Sequence, residues 1–237
     1  MRVLVMGGGS GIGEATAALF AKVGAEVVVT GRRQARLDAA VARIGGGATA
    51  HRLDAASRPE LDAFFAAGAE YDHLVLAMSG SLGGGPFADL DLDTVRAGFE
   101  GKFWLHLQAF QAALPRLRPN GSVVFITAAS ARAAMPGTAG LAAINGALEA
   151  VVGPLAAELA PLRVNAVSPG VIDTAWWDAV PEEQRTVVFE RAAAATPVGR
   201  IGTPDDVAQV VQLAATNGFM TGTVLECTGG MNLAMAR

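Results

Sequence analysis

The chain has 237 residues, of which 51% are hydrophobic and 17% are charged, and its net charge is −4. The negative charge argues against nucleic acid or an anionic membrane surface as the main partner, and no apolar run is long enough to predict a membrane span. The single cysteine, Cys227, leaves no internal disulfide and is typical of a reducing compartment. We therefore expect a soluble, cytoplasmic protein whose partner is a small-molecule substrate.

Short apolar segments typical of buried strands alternate with longer segments of helical spacing. The predicted strands are 2–6, 26–30, 49–53, 73–78, 122–127, 163–167 and 223–227. The predicted helices are 11–23, 33–44, 57–67, 91–117, 138–160 and 204–216. Strands that are apolar on both faces and alternate with helices indicate a parallel sheet covered on both sides. The sequence therefore predicts one α/β domain over residues 1–237, a doubly wound, Rossmann-type parallel sheet of seven strands with helices on both faces.

A glycine-rich segment, "GGGSGIG", joins the first predicted strand to the first helix. Glycines at 7, 11 and 13 leave the backbone bare, so that a pyrophosphate can approach the N–H groups and the helix dipole. A tight turn without a ligand would also use glycine, but the strand–loop–helix context favours a dinucleotide site. The predicted contacts in this loop are Gly7, Gly9, Ser10, Gly11, Ile12 and Gly13.

The end of the second strand predicts which dinucleotide is bound. An NAD site usually has a carboxylate here for the ribose 2′-hydroxyl, whereas this chain has Gly31, Arg32 and Arg33. Guanidinium groups pair with a 2′-phosphate, which a carboxylate would repel. The pattern favours NADP(H), with NAD(H) the weaker alternative, although two arginines could also be a solvated helix start.

Several segments together resemble the short-chain dehydrogenase/reductase family over essentially the whole chain. They are "GGGSGIG", "RLDAAS", "QAALPRL", "RVNAVSPGVIDT", "GTPDDVAQVVQLA" and "TGTVLECTGG". The resemblance implies that Asp54 lies near the adenine, with Leu53 and Ala55 beside it. It also implies further cofactor contacts from Ala77, Met78, Pro169, Gly170, Ile172 and Thr174.

The same resemblance identifies a divergent member, because the family's Asn-Ser-Tyr-Lys catalytic set is missing. The four matching positions hold Lys102, Ala128, Leu141 and Asn145. The one tyrosine in the chain, Tyr71, has Val75 four residues later, so no shift of register restores a Tyr-x-x-x-Lys motif. The family's usual proton donor is therefore absent.

Three residues are candidates for the missing chemistry: Lys102, Thr127 and Ser130. The Lys102 ammonium could polarise a substrate oxygen, or it could be a lysine whose stem covers apolar surface. The hydroxyls of Thr127 and Ser130 could orient a substrate, or they could satisfy local backbone. His106, one turn after Lys102, is more typical of a helix packing interface.

Asn145 could keep one role of the missing lysine, which is to hydrogen-bond the ribose of the cofactor. Trp176 and Trp177 follow the predicted nicotinamide loop and could line an apolar pocket, or they could equally pack against the core. His51, His73 and His106 are scattered along the sequence, so no metal site is predicted.

These observations leave three hypotheses open. The first is an NADP(H)-dependent oxidoreductase with a rebuilt active site and a small, partly apolar substrate. The second is a redox-inactive NADP(H)-binding sensor or scaffold, and the third is a non-redox enzyme that uses the same pocket. In each case we expect a homodimer or homotetramer, because helices 91–117 and 138–160 are apolar on more than one face and the family pairs them between subunits.

Overall fold

Seven strands, most of them buried on both faces, form one parallel sheet in the computed structural model, which describes residues 1–66, 68–80 and 82–233. The spatial order of the seven strands is β3-β2-β1-β4-β5-β6-β7. They are β1 (Arg2–Met6), β2 (Glu26–Gly31), β3 (Thr49–Arg52), β4 (Tyr71–Leu76), β5 (Leu117–Ile126), β6 (Arg163–Pro169) and β7 (Val224–Cys227). The predicted doubly wound α/β fold with seven parallel strands is confirmed.

Helices cover both faces of this sheet. They are α1 (Gly11–Lys22), α2 (Gln34–Ile44), α3 (Arg58–Ala66), α4 (Leu92–Gly98), α5 (Leu105–Ala113), α6 (Ala139–Glu158), α7 (Glu182–Ala195) and α8 (Pro204–Thr216). Successive residues of a strand point to opposite faces. In β1, Leu4 therefore joins the core cluster of α3, α5 and α6, whereas Val5 joins that of α1, α2 and α8.

The prediction of one long helix over 91–117 is wrong in detail. A six-residue π-helical segment, Phe99–Trp104, separates α4 from α5, and a short 3₁₀ turn with Pro115 precedes β5. A π segment widens the helix locally and often lies at a functional site. Here it carries Lys102.

Other boundaries move by a few residues, and one helix was not predicted. The fourth strand is 71–76 rather than 73–78, and the third helix is 58–66 rather than 57–67, with residue 67 outside the described residues. The unpredicted helix, α7, has no buried residue. An exposed helix lacks the apolar periodicity on which sequence reasoning depends.

The strand order reverses between β1 and β4, and this position determines where a ligand can bind. The chain leaves β1 towards β2 on one side, whereas β4 continues the sheet on the other. A crevice forms at such a switch point, outside the carboxyl ends of the strands. The loops after β1, β4, β5 and β6 all start at this edge.

Candidate functional site

A cavity of about 1020 Å³ opens at the carboxyl ends of the strands. It gathers every predicted cofactor residue: Gly7, Gly9, Ser10, Gly11, Ile12, Gly13, Gly31, Arg32, Arg33, Leu53, Asp54, Ala55, Ala77, Met78, Asn145, Pro169, Gly170, Ile172 and Thr174. The predicted catalytic residues Lys102, Thr127 and Ser130 line the same cavity, as do Ala128 and Leu141. The fold thus brings together residues that are up to 167 positions apart in sequence, from Gly7 to Thr174.

At Gly7 and Gly13, the loop after β1 packs too closely against neighbouring backbone for a side chain. Gly7 has a φ of +86°, and a Cβ there would lie 2.7 Å from the Ala77 carbonyl. A Cβ on Gly13 would overlap the carbonyl oxygen of Gly7. Ser10, at the start of α1, makes no side-chain cap bond. The first N–H groups of α1 are therefore available to an anion, as a pyrophosphate requires.

A carboxylate in the first turn of α1 is balanced by an arginine from α2. Glu14 would oppose a bound phosphate, but Arg43 holds it with two hydrogen bonds of 2.6 and 2.8 Å. This bidentate pair engages both oxygens of Glu14 and balances its negative charge. The loop therefore retains its attraction for anions.

Three arginines lie together at the rim of the cavity near the end of β2. Arg32, Arg33 and Arg36 are exposed and line it, and none forms an ion pair with any residue that the structure describes. The sequence prediction included the first two and missed Arg36, although the segment "RRQAR" contains all three. Three uncompensated guanidinium groups are suited to a phosphate monoester.

Lys102 lies at the other end of the cavity and is buried, with 8% of its surface exposed. Its ammonium donates to the main-chain carbonyl of Thr127 at 3.3 Å. Burial lowers the pKa of Lys102 to about 8, against an opposing attraction from Glu149. Because the side chain lines the cavity and has one long hydrogen bond, its other N–H groups can bind a ligand oxygen.

His106 has the packing role that the sequence favoured. Its two ring nitrogens lie 2.7 Å from the Lys102 carbonyl and 3.1 Å from the Leu76 carbonyl. Burial, with the nearby Lys102 charge, lowers the pKa of His106 to about 4. The ring is not among the cavity-lining groups and packs between the π segment and β4. Because it is neutral near pH 7, it donates a hydrogen bond to one of the two carbonyls.

Asn145 stands at the position of the missing lysine and is hydrogen-bonded to Ser130. The Asn145 amide donates to Ser130 Oγ at 3.1 Å and to the Leu141 carbonyl at 2.9 Å. Its carbonyl oxygen is buried and has no hydrogen-bond partner among the described residues. A buried acceptor without a donor is costly, and a ribose hydroxyl is a group that would satisfy it. The residues present therefore fit a dinucleotide.

Two tryptophans close one side of the cavity. The Trp176 indole donates to the Gly80 carbonyl at 3.2 Å and that of Trp177 to the Ile172 carbonyl at 3.0 Å. The rings pack edge to face at 4.7 Å. With Leu141 and Met135 on the cavity wall, they make the substrate end largely apolar.

Sequence reasoning missed the charged residues behind Thr127. Glu149 on α6 accepts a hydrogen bond from Thr127 Oγ1 and another from Arg132. Nothing in the local sequence distinguishes Glu149 from an exposed helix residue, so only the fold reveals it. Within the described ranges, no cluster of three or more His, Cys, Asp or Glu could hold a metal ion.

The likeness of this chain to known proteins extends over almost its whole length. A family model described as enoyl-(acyl carrier protein) reductase matches residues 7–232. The chain is 33% identical to (2S)-[(R)-hydroxy(phenyl)methyl]succinyl-CoA dehydrogenase subunit BbsD of Thauera aromatica, over 97% of this chain and 96% of that protein. It is 29% identical to 3-oxoacyl-[acyl-carrier-protein] reductase FabG of Thermotoga maritima, over 96% of each. A solved small-chain dehydrogenase in complex with NADPH matches with a TM-score of 0.85 at 28% identity, over 98% of this chain and 99% of that one.

Proposed function

The chain belongs to the short-chain dehydrogenase/reductase family of oxidoreductases, and on this premise we propose that it is an NADP(H)-dependent oxidoreductase with a lysine in place of the usual tyrosine acid. The substrate is a small, partly apolar molecule with an oxygen that Lys102 can reach. The complex of a similar dehydrogenase with NADPH supports the choice of cofactor. The arginines at 32, 33 and 36 support it from within this chain.

The position of Lys102 is the observation that carries the proposal. When bound, the nicotinamide would supply or accept the hydride. The Lys102 ammonium then polarises the substrate oxygen and donates its proton to the oxygen that gains charge. With a pKa of about 8, the group has both protonation states available near neutral pH, which is what a general acid and base needs.

The other residues of the site bind and orient. Asn145 offers its unpaired carbonyl oxygen to a ribose hydroxyl, and Ser130 fixes the amide that carries it. Leu141 and the two tryptophans exclude water from the substrate end. This exclusion strengthens the interaction between the ammonium and a developing negative charge.

A substrate screen with NADPH tests the function. We expect micromolar or tighter NADPH binding, slow turnover of simple ketones and secondary alcohols, and faster NADPH oxidation with a narrower set of apolar carbonyl compounds. The measurements are calorimetric titration and the decay of NADPH absorbance. Rapid reduction of ordinary ketones would show that the missing tyrosine is not needed.

The apolar side chains at two tetrad positions favour a second candidate, a binding protein without chemistry. Ala128 and Leu141 offer no acid, and if Lys102 only stabilises the fold the cavity would hold NADP(H) without hydride transfer. Tight NADPH binding with no oxidation by any compound in the screen would select this candidate.

We also propose a homodimer or homotetramer built on α6. Among the described residues, α6 is the one helix that is long and apolar enough, with a mean hydropathy of 1.4, to cross a membrane by length and composition alone. Only 33% of this apolar window is buried within the chain, and nearby Trp104 is 53% exposed. Pairing with a second copy would cover this surface. Light scattering at micromolar concentration is expected to give a dimer or tetramer mass, and a monomer mass would contradict the proposal.

A further inference from the structure

Thr127 contacts Lys102 with one polar group and a buried carboxylate with the other. Its main-chain carbonyl accepts from Lys102 at 3.3 Å, and its hydroxyl lies 2.9 Å from Oε1 of Glu149. The hydroxyl has one proton and a second acceptor nearby, the Val167 carbonyl at 3.2 Å. The closer acceptor is also the charged one, which makes the stronger hydrogen bond. Lys102 and Glu149 are thus linked through a single residue at the end of β5.

The carboxylate of Glu149 is held in one orientation. Its side chain is 8% exposed, and Oε2 accepts from Nε of Arg132 at 2.8 Å. Arg132 donates with its other arm to Glu226, also at 2.8 Å. Both oxygens of Glu149 are therefore engaged, and its negative charge is fixed behind Thr127 rather than free to turn towards solvent.

We propose that Glu149 is a positioning residue for Lys102: acting through Thr127, it keeps the buried side chain charged and aimed at the cavity. An isolated ammonium in an apolar site tends to lose its proton, whereas a nearby opposite charge favours the charged form. The pKa of Lys102 follows this rule, because burial lowers it and the charge of Glu149 raises it. The role of the Lys102 ammonium towards a substrate rests on the proposed function. The effect of Glu149 on the protonation of Lys102 is independent of that function.

Among the titratable groups near Lys102, Glu149 has the main influence on its pKa, second only to the effect of burial. His106 faces Lys102 from α5, but its pKa of about 4 keeps it neutral near pH 7. Arg132 follows β5 and pairs with Glu226 on β7. This pair reaches Lys102 only through Glu149 and Thr127. Removing the Glu149 charge should therefore change Lys102 most.

The test is a pH titration of Lys102 followed by NMR. The chain has two lysines, so labelling with ¹³C-lysine gives two ¹³Cε signals, and exposed Lys22 serves as the internal reference. In Glu149→Gln, the Lys102 midpoint is expected to fall by about one pH unit, with that of Lys22 unchanged. Glu226→Gln is the matched control. It also removes a carboxylate that pairs with Arg132, but this carboxylate does not contact Thr127. Its effect on Lys102 is expected to be much smaller.

Each outcome decides the inference. A wild-type midpoint in Glu149→Gln, or an equal fall in Glu226→Gln, overturns it. If the glutamine variant does not fold by circular dichroism, Glu149→Met removes the charge without leaving a buried amide, and the same fall is expected. The titration needs neither cofactor nor substrate. A midpoint that moves in a protein with no hydride transfer would therefore refute the proposed function and leave this inference standing.

Discussion

Lys102→Met is expected to lower kcat on the substrate that the wild type turns over by about 10²–10⁴-fold, because a positioned acid contributes about that much to a rate. Methionine keeps much of the length and the apolar character of the lysine stem, so the buried space stays filled. The affinity for NADPH should stay within a few-fold, since Lys102 contacts Thr127 at the substrate end of the cavity. Steady-state kinetics and a fluorescence titration with NADPH measure the two quantities.

Lys22→Met is the matched control, because it removes the other lysine of the chain, which is exposed at the end of α1. Its kcat should equal that of the wild type. Full activity in Lys102→Met would exclude the ammonium as the acid. A large loss of NADPH affinity in the same variant would instead assign Lys102 to cofactor binding.

Arg32→Asp is expected to reverse the preference for NADPH over NADH. A charge-assisted hydrogen bond contributes about 1.5–3 kcal/mol, so losing it weakens NADPH binding by about 10- to 100-fold. The new carboxylate would repel the 2′-phosphate and could accept a hydrogen bond from the 2′-hydroxyl of NADH. Calorimetric dissociation constants for both cofactors, in wild type and variant, measure the change.

Arg96→Asp makes the same change of charge on α4 rather than at the end of β2. Arg96 is exposed, pairs with Asp93 and does not line the cavity, so this variant should retain the wild-type ratio of the two dissociation constants. Equal affinities of the wild type for NADPH and NADH would contradict the assignment of the arginines. An equal loss of NADPH affinity in Arg32→Asp and Arg96→Asp would mean that Arg32 contributes only general electrostatic attraction.

The sheet could be predicted from the sequence because buried parallel strands have a strong local signal. The segment "RVLVM" is apolar from Val3 to Met6 and "EVVVT" from Val27 to Val29, and the structure makes them β1 and the body of β2. The exposed helix α7 has no such signal, since its apolar residues are not periodic. The π segment at Phe99–Trp104 depends on an extra residue in the helix turn, which no composition rule predicts.

The phosphate loop and the surroundings of Lys102 differ in the same way in how far the sequence predicts them. The phosphate loop is one contiguous segment, so its glycines and their spacing can be read directly from the chain. The surroundings of Lys102 come from α5, the residues just after β5, and α6, and the contact from Thr127 to Glu149 spans 22 positions. Residues that act together only after folding, such as Glu149 and Arg132, leave no local pattern.

The glycines of the loop after β1 are required for different reasons, and this affects how a lineage of such proteins can change. Gly13 is required by packing, because a Cβ there would overlap the Gly7 carbonyl whether or not a dinucleotide is bound. Gly9 lines the cavity, and a Cβ there would meet only the Leu37 side chain at 3.4 Å and the backbone and Cβ of Arg36 beyond it. A descendant that stopped binding dinucleotides would be free to replace Gly9 but would have to retain Gly13. The residue at position 9 in related chains is therefore the better record of whether their ancestors continued to bind a cofactor.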